Sequence, residues 1–180
     1  FEYIDLGGGM GIDYENNKKK LNLKKYSLIV KKFKEKHKTK IIFEPGRSII
    51  GNSGILITKI IYIKESHKKN FIILDAAMND FMRPALYNAK HRIIPAIKNK
   101  NQSDKTYEFV GPICESTDKF LTQKKFQKLK ENDLILICDV GAYGMSLSSN
   151  YNTRPKPAEI LIKNSKIKII NKRQNLKDLI

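Results

Sequence analysis

Two short stretches carry residue types suited to chemistry. The first is "DLGGGMG" (5–11), where Gly7, Gly8 and Gly9 follow an apolar run. Glycines at a strand end let backbone N–H groups approach a phosphate with no Cβ in the way. The stretch lacks the GxGxxG spacing of a dinucleotide site and the GK[ST] ending of a P-loop, so taken alone it reads equally as a tight turn. The second is "EPGRSIIG" (44–51), directly after the strand-like "KIIF". Gly46 and the Arg47 N–H would complete a phosphate cup. Glu44 has two readings. A carboxylate beside an aromatic ring nitrogen keeps that nitrogen protonated, as an electron-sink cofactor requires; the alternative is a structural ion pair.

Arginine is scarce, which makes its positions informative. Among 35 basic residues only Arg47, Arg83, Arg92, Arg154 and Arg173 are arginine. A guanidinium grips a carboxylate through a planar fork that lysine cannot imitate. Arg47 and Arg83 are therefore candidate carboxylate ligands, with a structural ion pair as the other reading of Arg83. Tyr87 stands four residues after Arg83, so one helical turn puts both on the same face; it also reads as a packed core tyrosine. Cys114 in "CES" is a candidate proton donor, since a thiol near its ordinary pKa is a workable acid at neutral pH. Cys138, inside "LILICDV", reads as a small buried apolar residue. Tyr143 in "GAYG" reads as a phosphate donor or as a domain-interface residue.

The elements that must position these residues divide in two. Residues 1–46 read strand–loop–helix–strand, with Tyr26, Ile29, Val30 and Phe33 at helical spacing among lysines, which is the βαβ unit of a parallel sheet. "GILITKIIYIKES" and "KNFIILDAA" form an expected hairpin across the polar turn 66–70. "DFMRPALYNAKHRIIPA" reads as a short helical piece followed by an extended one. "YEFVGPIC", "DLILICDVGAYG", "PAEILIK" and "KIKIINK" are further strands. The expected fold class is α/β plus all-β, with a boundary near 47–55. The segment 99–105 reads as a mobile polar linker, and 151–159 as a structural connection.

Composition excludes little. The formal net charge of +17 invites a nucleic-acid reading, but the lysines are spread along the chain among Ile and Asn, and no zinc-finger, recognition-helix or RNA-binding pattern is present. The run "KKK" (18–20) reads as a solvated turn. Nucleic acid stands as the rival reading, testable by salt-dependent binding. The two cysteines have no metal-like spacing and suggest a reducing, cytoplasmic setting. His37, His67 and His91 are scattered and read as surface or packing residues. No apolar run is long enough for a membrane helix. The chain opens on the strand-like "FEYIDL", as a fragment beginning inside a fold would.

Taken in order, "DLGGGMG", "EPGRSIIG", "LDAAMNDFMRPALYNAKHRI", "VGPICESTD" and "VGAYGMSLSSNYN" resemble the diaminopimelate decarboxylases, pyridoxal-phosphate enzymes of the alanine-racemase-like fold. The resemblance implies that residues 1–50 are the last strands of a cofactor-binding (β/α)8 barrel and that 51–180 form a β-sandwich-like C-terminal domain. It implies that Gly8, Gly9, Glu44, Gly46, Arg47 and Tyr143 meet pyridoxal 5'-phosphate. It further implies that Arg47, Arg83, Tyr87, Glu115 and Tyr143 meet meso-diaminopimelate, and that Cys114 is catalytic. A homodimer with shared active sites is implied, the "CES" segment coming from the neighbouring subunit. The lysine that carries the cofactor matches no motif in this chain, so the fragment alone is expected to be inactive. Related decarboxylases of ornithine, arginine or carboxynorspermidine are the nearest alternative; their cationic substrates call for an acid where this chain has Arg83 and Tyr87.

Overall fold

A lysine-striped helix joins two short parallel strands at the start of the chain. In this computed structural model, which describes residues 1–17, 21–67 and 69–180, β1 (Tyr3–Asp5) pairs in parallel with β2 (Lys40–Ile42), and α1 (Leu23–His37) makes the crossover between them. The expected turn at 18–20 lies outside the described residues. Asn22 caps α1 by accepting from the Lys25 N–H at 3.0 Å, and Lys38 ends it in the left-handed region (φ 48°). Lys34, Lys36 and His37 occupy the last turn, where the carbonyl ends favour cations. The expected βαβ unit is present.

A five-residue helix, α2 (Gly46–Ile50), and a 3-10 turn (Gly51–Ser53) lead into the β-rich part. Its strands are β3 (Ile55–Glu65), β4 (Asn70–Leu74), β5 (Ile93–Pro95), β6 (Thr106–Val110), β7 (Lys119–Lys124) and β8 (Leu134–Cys138), in spatial order β5-β8-β3-β4-β6-β7. The expected β3–β4 hairpin is antiparallel, with Ile63 opposite Ile72. Ile60, Ile72, Leu74, Phe81, Ile93, Tyr107, Phe109, Phe120, Phe126, Ile135 and Ile137 form one buried core. The fold class is α/β plus all-β, as expected.

Three features depart from the sequence reading. Strand β7 has no counterpart in it: Phe120 is the buried residue of that strand, and Lys119, Gln123 and Lys124 dilute its apolar signal. Strands β4 and β6 run parallel, which requires a long crossover; that crossover carries α3 (Arg83–Tyr87) and β5. The segment 99–105, expected as a mobile linker, is tied down. The Ser103 N–H donates to Phe126 O at 2.8 Å, and the Gln127 side chain accepts from the Asn99 N–H at 3.1 Å. The contacts run to the neighbouring stretch 126–128, while most of the segment's side chains stay exposed. Strands β9 (Glu159–Lys163) and β10 (Lys166–Asn171) form a separate hairpin, turned by Asn164 and Ser165, both at positive φ.

The connection 151–159 is anchored by Arg154. Its Nε donates to Asn79 Oδ1 at 2.9 Å and an Nη donates to Asp75 O at 2.6 Å, with Asp80 at 3.7 Å. His91, expected on the surface or as packing, is packing. It lies edge-on to Phe81 and Tyr14, each 4.6 Å away between centroids. Burial lowers its pKa from the ordinary 6.5 to about 4; the Cys138 carbonyl opposes that shift and the Arg83 charge adds to it. Among the described residues, no helix is long and apolar enough to cross a membrane.

Arg154→Ala should destabilise the protein by about 2 kcal/mol, because Asn79 and the Asp75 carbonyl lose charge-assisted bonds; an unchanged melting temperature would show the clamp to be idle. A histidine with a depressed pKa stays neutral when folded while the unfolded chain takes up a proton, so its contribution is present above pH 6.5 and is lost as pH falls towards 4. Burial raises the pKa of Asp80 and of Asp118, which act in the opposite direction. The difference between wild type and His91→Phe isolates the histidine: the variant should lose less melting temperature between pH 6.5 and 4, and parallel pH curves would contradict this.

Candidate active site

Pairing between β1 and β2 continues past the strand ends and sets two loops side by side. The Leu6 N–H donates to Ile42 O at 3.0 Å, and the Glu44 N–H donates to Gly7 O at 2.9 Å. The chain turns at Gly7 and Gly9, both in the left-handed region at φ +63° and +72°. Between them, a Cβ on Gly8 would stand 2.7 Å from the Glu44 carbonyl oxygen, so only glycine fits. The Gly46 N–H folds back onto Glu44 O at 2.8 Å. Residues 7–9 and 44–47 therefore share one place.

The donors there suit an anion. Among the described residues, no hydrogen bond engages the N–H groups of Gly8 or Gly9. Glu44 is exposed, and its carboxylate has neither an ion pair nor a hydrogen-bond donor among the described residues. The structural ion pair considered for it is absent from the described residues. Free amides on one loop and a free carboxylate on the next fit a ligand with a phosphate at one end and a basic ring nitrogen at the other.

Beside this place lies a cluster built on Tyr14. The Arg47 guanidinium is 5.9 Å from the Tyr14 ring centroid and that of Arg83 is 5.6 Å away. Arg83 opens α3, one helical turn before Tyr87, whose ring centroid lies 5.8 Å from the guanidinium. Tyr143 brings a third ring to 5.4 Å. It stands at φ 59° in the turn after β8, and backbone contact holds that turn in place. The Val140 N–H donates to Gly54 O and the Gly141 N–H to Gly51 O, both at 3.0 Å. A Cβ on Gly141 would collide with the Ile50 carbonyl oxygen. The same packing that joins the two parts of the chain thus delivers Tyr143 to Arg83.

Arg83 is 7% exposed, and no carboxylate lies within ion-pair distance of it among the described residues. Its Nε donates to His91 Nε2 at 3.4 Å. A buried guanidinium without a counter-ion is a receptor for an anion.

Cys114 and Glu115 are held apart from this cluster. Their loop is organised by Asp118, whose carboxylate accepts from the Met78 N–H at 2.7 Å and the Ile113 N–H at 2.9 Å. Burial raises the Asp118 pKa, and those two backbone donors oppose the rise. Cys114 is exposed at the loop's edge. Glu115 accepts from the Tyr151 hydroxyl at 3.4 Å and the Thr117 hydroxyl at 3.3 Å. Among the described residues, no hydrogen bond or ring contact links either residue to Arg47, Arg83 or Tyr143. Cys138 is buried in β8, as its apolar neighbours suggested.

Sequence reasoning missed Tyr14 and the contact that His91 makes with Arg83. Tyr14 sits in an aperiodic polar turn, and His91 follows a helix too short to show a face. Nothing local marks either of them.

Comparisons with known proteins bear on the family and the fold. The family described as pyridoxal-dependent decarboxylase, C-terminal sheet domain, matches residues 11–141. The diaminopimelate decarboxylase of Aquifex aeolicus (strain VF5) is 42% identical over 174 residues, covering 97% of this chain and 41% of that protein. The one from Helicobacter pylori is 44% identical over 177 residues, covering 98% and 44%. The crystal structure of the Helicobacter pylori diaminopimelate decarboxylase complexed with L-lysine matches at a TM-score of 0.89 and 43% identity, over 99% of this chain and 43% of that one. The lysine/ornithine decarboxylase from Vibrio vulnificus complexed with cadaverine is 18% identical at a TM-score of 0.74 over 86% of this chain, a likeness of fold alone. The chain spans less than half the length of each of these relatives. The match over residues 11–141 places the chain in the pyridoxal-dependent decarboxylase family, by its C-terminal sheet domain.

Proposed function

We propose that this chain is the C-terminal portion of a diaminopimelate decarboxylase, which converts meso-2,6-diaminopimelate to L-lysine and carbon dioxide. Residues 1–50 then close the cofactor-binding barrel, and 51–180 form the β domain with its substrate-binding segments. The observation that carries the reading is the buried Arg83 guanidinium. It has no anion of its own among the described residues, and it stands with Arg47 around Tyr14. Similarity to diaminopimelate decarboxylases at 42% and 44% identity supports the same reading.

The substrate carries an amino acid at each end, and the enzyme must spare one carboxylate while removing the other. Arg83 and Arg47 bind the carboxylate that stays, through forked charge-assisted bonds. Tyr87 and Tyr143 line that end and keep water from the guanidinium. The Gly8, Gly9, Gly46 and Arg47 segments hold the cofactor phosphate, and Glu44 keeps a proton on the pyridine nitrogen. When bound, pyridoxal 5'-phosphate supplies an electron sink for the pair released as carbon dioxide leaves. Glu115 reads the far ammonium and Cys114 returns a proton to the decarboxylated carbon. The exposure of Cys114, and its separation from the arginine cluster, support a homodimer in which these two residues serve the neighbouring subunit's site. The lysine that carries the cofactor then lies in the other part of the full-length enzyme, in a cytoplasmic setting.

In the full-length enzyme, Arg83→Leu should raise the KM for meso-diaminopimelate by about 10- to 100-fold while pyridoxal phosphate affinity holds, as loss of a forked ion pair implies. An unchanged KM would remove Arg83 from the substrate site. Turnover of ornithine in preference to diaminopimelate would overturn the assignment of both arginines. Glu44→Gln should lower kcat on the order of 100-fold with little change in KM. Normal turnover in that variant would reject its place at the ring nitrogen.

A further inference from the structure

Two side chains with no assigned role, His91 and Tyr14, lie against the Arg83 guanidinium. His91 is 2% exposed. Its Nδ1 lies 3.0 Å from the Cys138 carbonyl oxygen, which can only accept, so Nδ1 carries the proton and Nε2 is left with a lone pair. That lone pair faces the Arg83 Nε at 3.4 Å. Tyr14 stands against the same imidazole, with centroids 4.6 Å apart and planes at 63°. The Tyr14 ring also neighbours both guanidinium groups, at 5.6 Å from Arg83 and 5.9 Å from Arg47. Its hydroxyl is buried and has no hydrogen-bond partner among the described residues, and its ring is the part that neighbours the two guanidinium groups.

A guanidinium has two edges that can hold a carboxylate, one through Nε and one Nη, the other through both Nη atoms. We propose that His91 and Tyr14 are positioning residues: His91 occupies the Nε edge of Arg83, leaving the double-Nη edge for the substrate's terminal carboxylate, and the Tyr14 ring spaces Arg83 from Arg47. The choice of an imidazole has a physical reason. An Asp or Glu at position 91 would also orient the guanidinium, but its charge would cancel the field that attracts the substrate and would compete for the same donors. A neutral acceptor orients without cancelling. Burial favours that neutral form, in line with a pKa lowered to about 4. Tyr14, Tyr87 and Tyr143 act in the same sense, stabilising a cation by their faces without supplying a counter-charge.

This inference rests on the proposed role of Arg83, and a double-mutant cycle in the full-length enzyme separates the two. His91→Phe keeps a ring against Phe81 and Tyr14 but removes the acceptor. It should raise the KM for meso-diaminopimelate about tenfold with kcat nearly constant. His91→Gln, which offers an amide oxygen, should recover part of that loss. In an Arg83→Leu background, His91→Phe should add nothing further, because the group it positions is gone. Tyr14→Leu should behave as His91→Phe does, and Tyr14→Phe, which keeps a ring face, should raise KM less than Tyr14→Leu. If Arg83→Leu raises KM but His91→Phe and Tyr14→Leu leave it unmoved, the positioning role is refuted and the reading of Arg83 survives. The positioning role is refuted equally if both variants lower melting temperature without touching KM, or if their effects add fully to that of Arg83→Leu. If Arg83→Leu itself has no effect, the proposed function fails first. Should His91→Phe not fold, the cycle run with Tyr14→Leu decides alone.

Discussion

A buried cation with no anion beside it in the described structure is the constraint around which this molecule is arranged. Desolvating a guanidinium costs several kcal/mol unless it is paired. Arg83 recovers part of that from three tyrosine faces, at about 1 kcal/mol each, and from one neutral imidazole acceptor. None of these cancels its charge. In the proposed reading the remaining imbalance gives the site its affinity for a carboxylate, and the surrounding residues are aromatic rather than acidic. In the proposed reaction Arg83 anchors one carboxylate of a nearly symmetric substrate, whose two ends carry the same charges and differ in configuration. Only the carboxylate that seats on Arg83 is spared.

The architecture serves that constraint by converging three separate segments. Tyr14 arrives from the loop after the glycines, and Arg83 and His91 from the crossover that the parallel β4–β6 pair demands. Tyr143 comes from the turn after β8. The last of these depends on backbone against backbone: the Gly141 N–H on Gly51 O, with no room for a side chain at Gly141. The contact joins the turn after β8 to the turn that directly follows α2. Arg47 belongs to α2, so it lies close in the chain to this contact.

Periodic elements were legible in the sequence, and convergence was not. The βαβ unit follows from apolar spacing along α1 and from two short apolar runs, and the β3–β4 hairpin from β-rich runs around a polar turn. Gly8 and Glu44 could be placed together because both end strands of one parallel pair. Strand β7 escaped because Lys and Gln sit where alternation would show. The parallel pairing of β4 with β6 is a long-range choice with no local mark. Tyr14 and His91 belong to the same class. Each is defined by what the fold brings to it, and the residues beside it in the chain say nothing of that.

The scarcity of arginine has a physical meaning in this setting. A chain with 35 basic residues meets almost all its needs for surface charge with lysine. Lys40 pairs with Glu2, Lys119 with Glu108 and Lys105 with Glu65. In each pair a point charge suffices. Two of the five arginines stand where the direction of the donors matters. Arg154 meets Asn79 Oδ1, the Asp75 carbonyl and Asp80 with a single group, which pins 151–159 to the start of the crossover. Arg83 meets His91 along one edge and holds the other edge in reserve. An ammonium in its place would bond His91 or a ligand, but its freely rotating donors would carry no orientation from one to the other. The planar group transmits that orientation, so at Arg83 and Arg154 the guanidinium supplies a direction that a surface lysine does not need to supply.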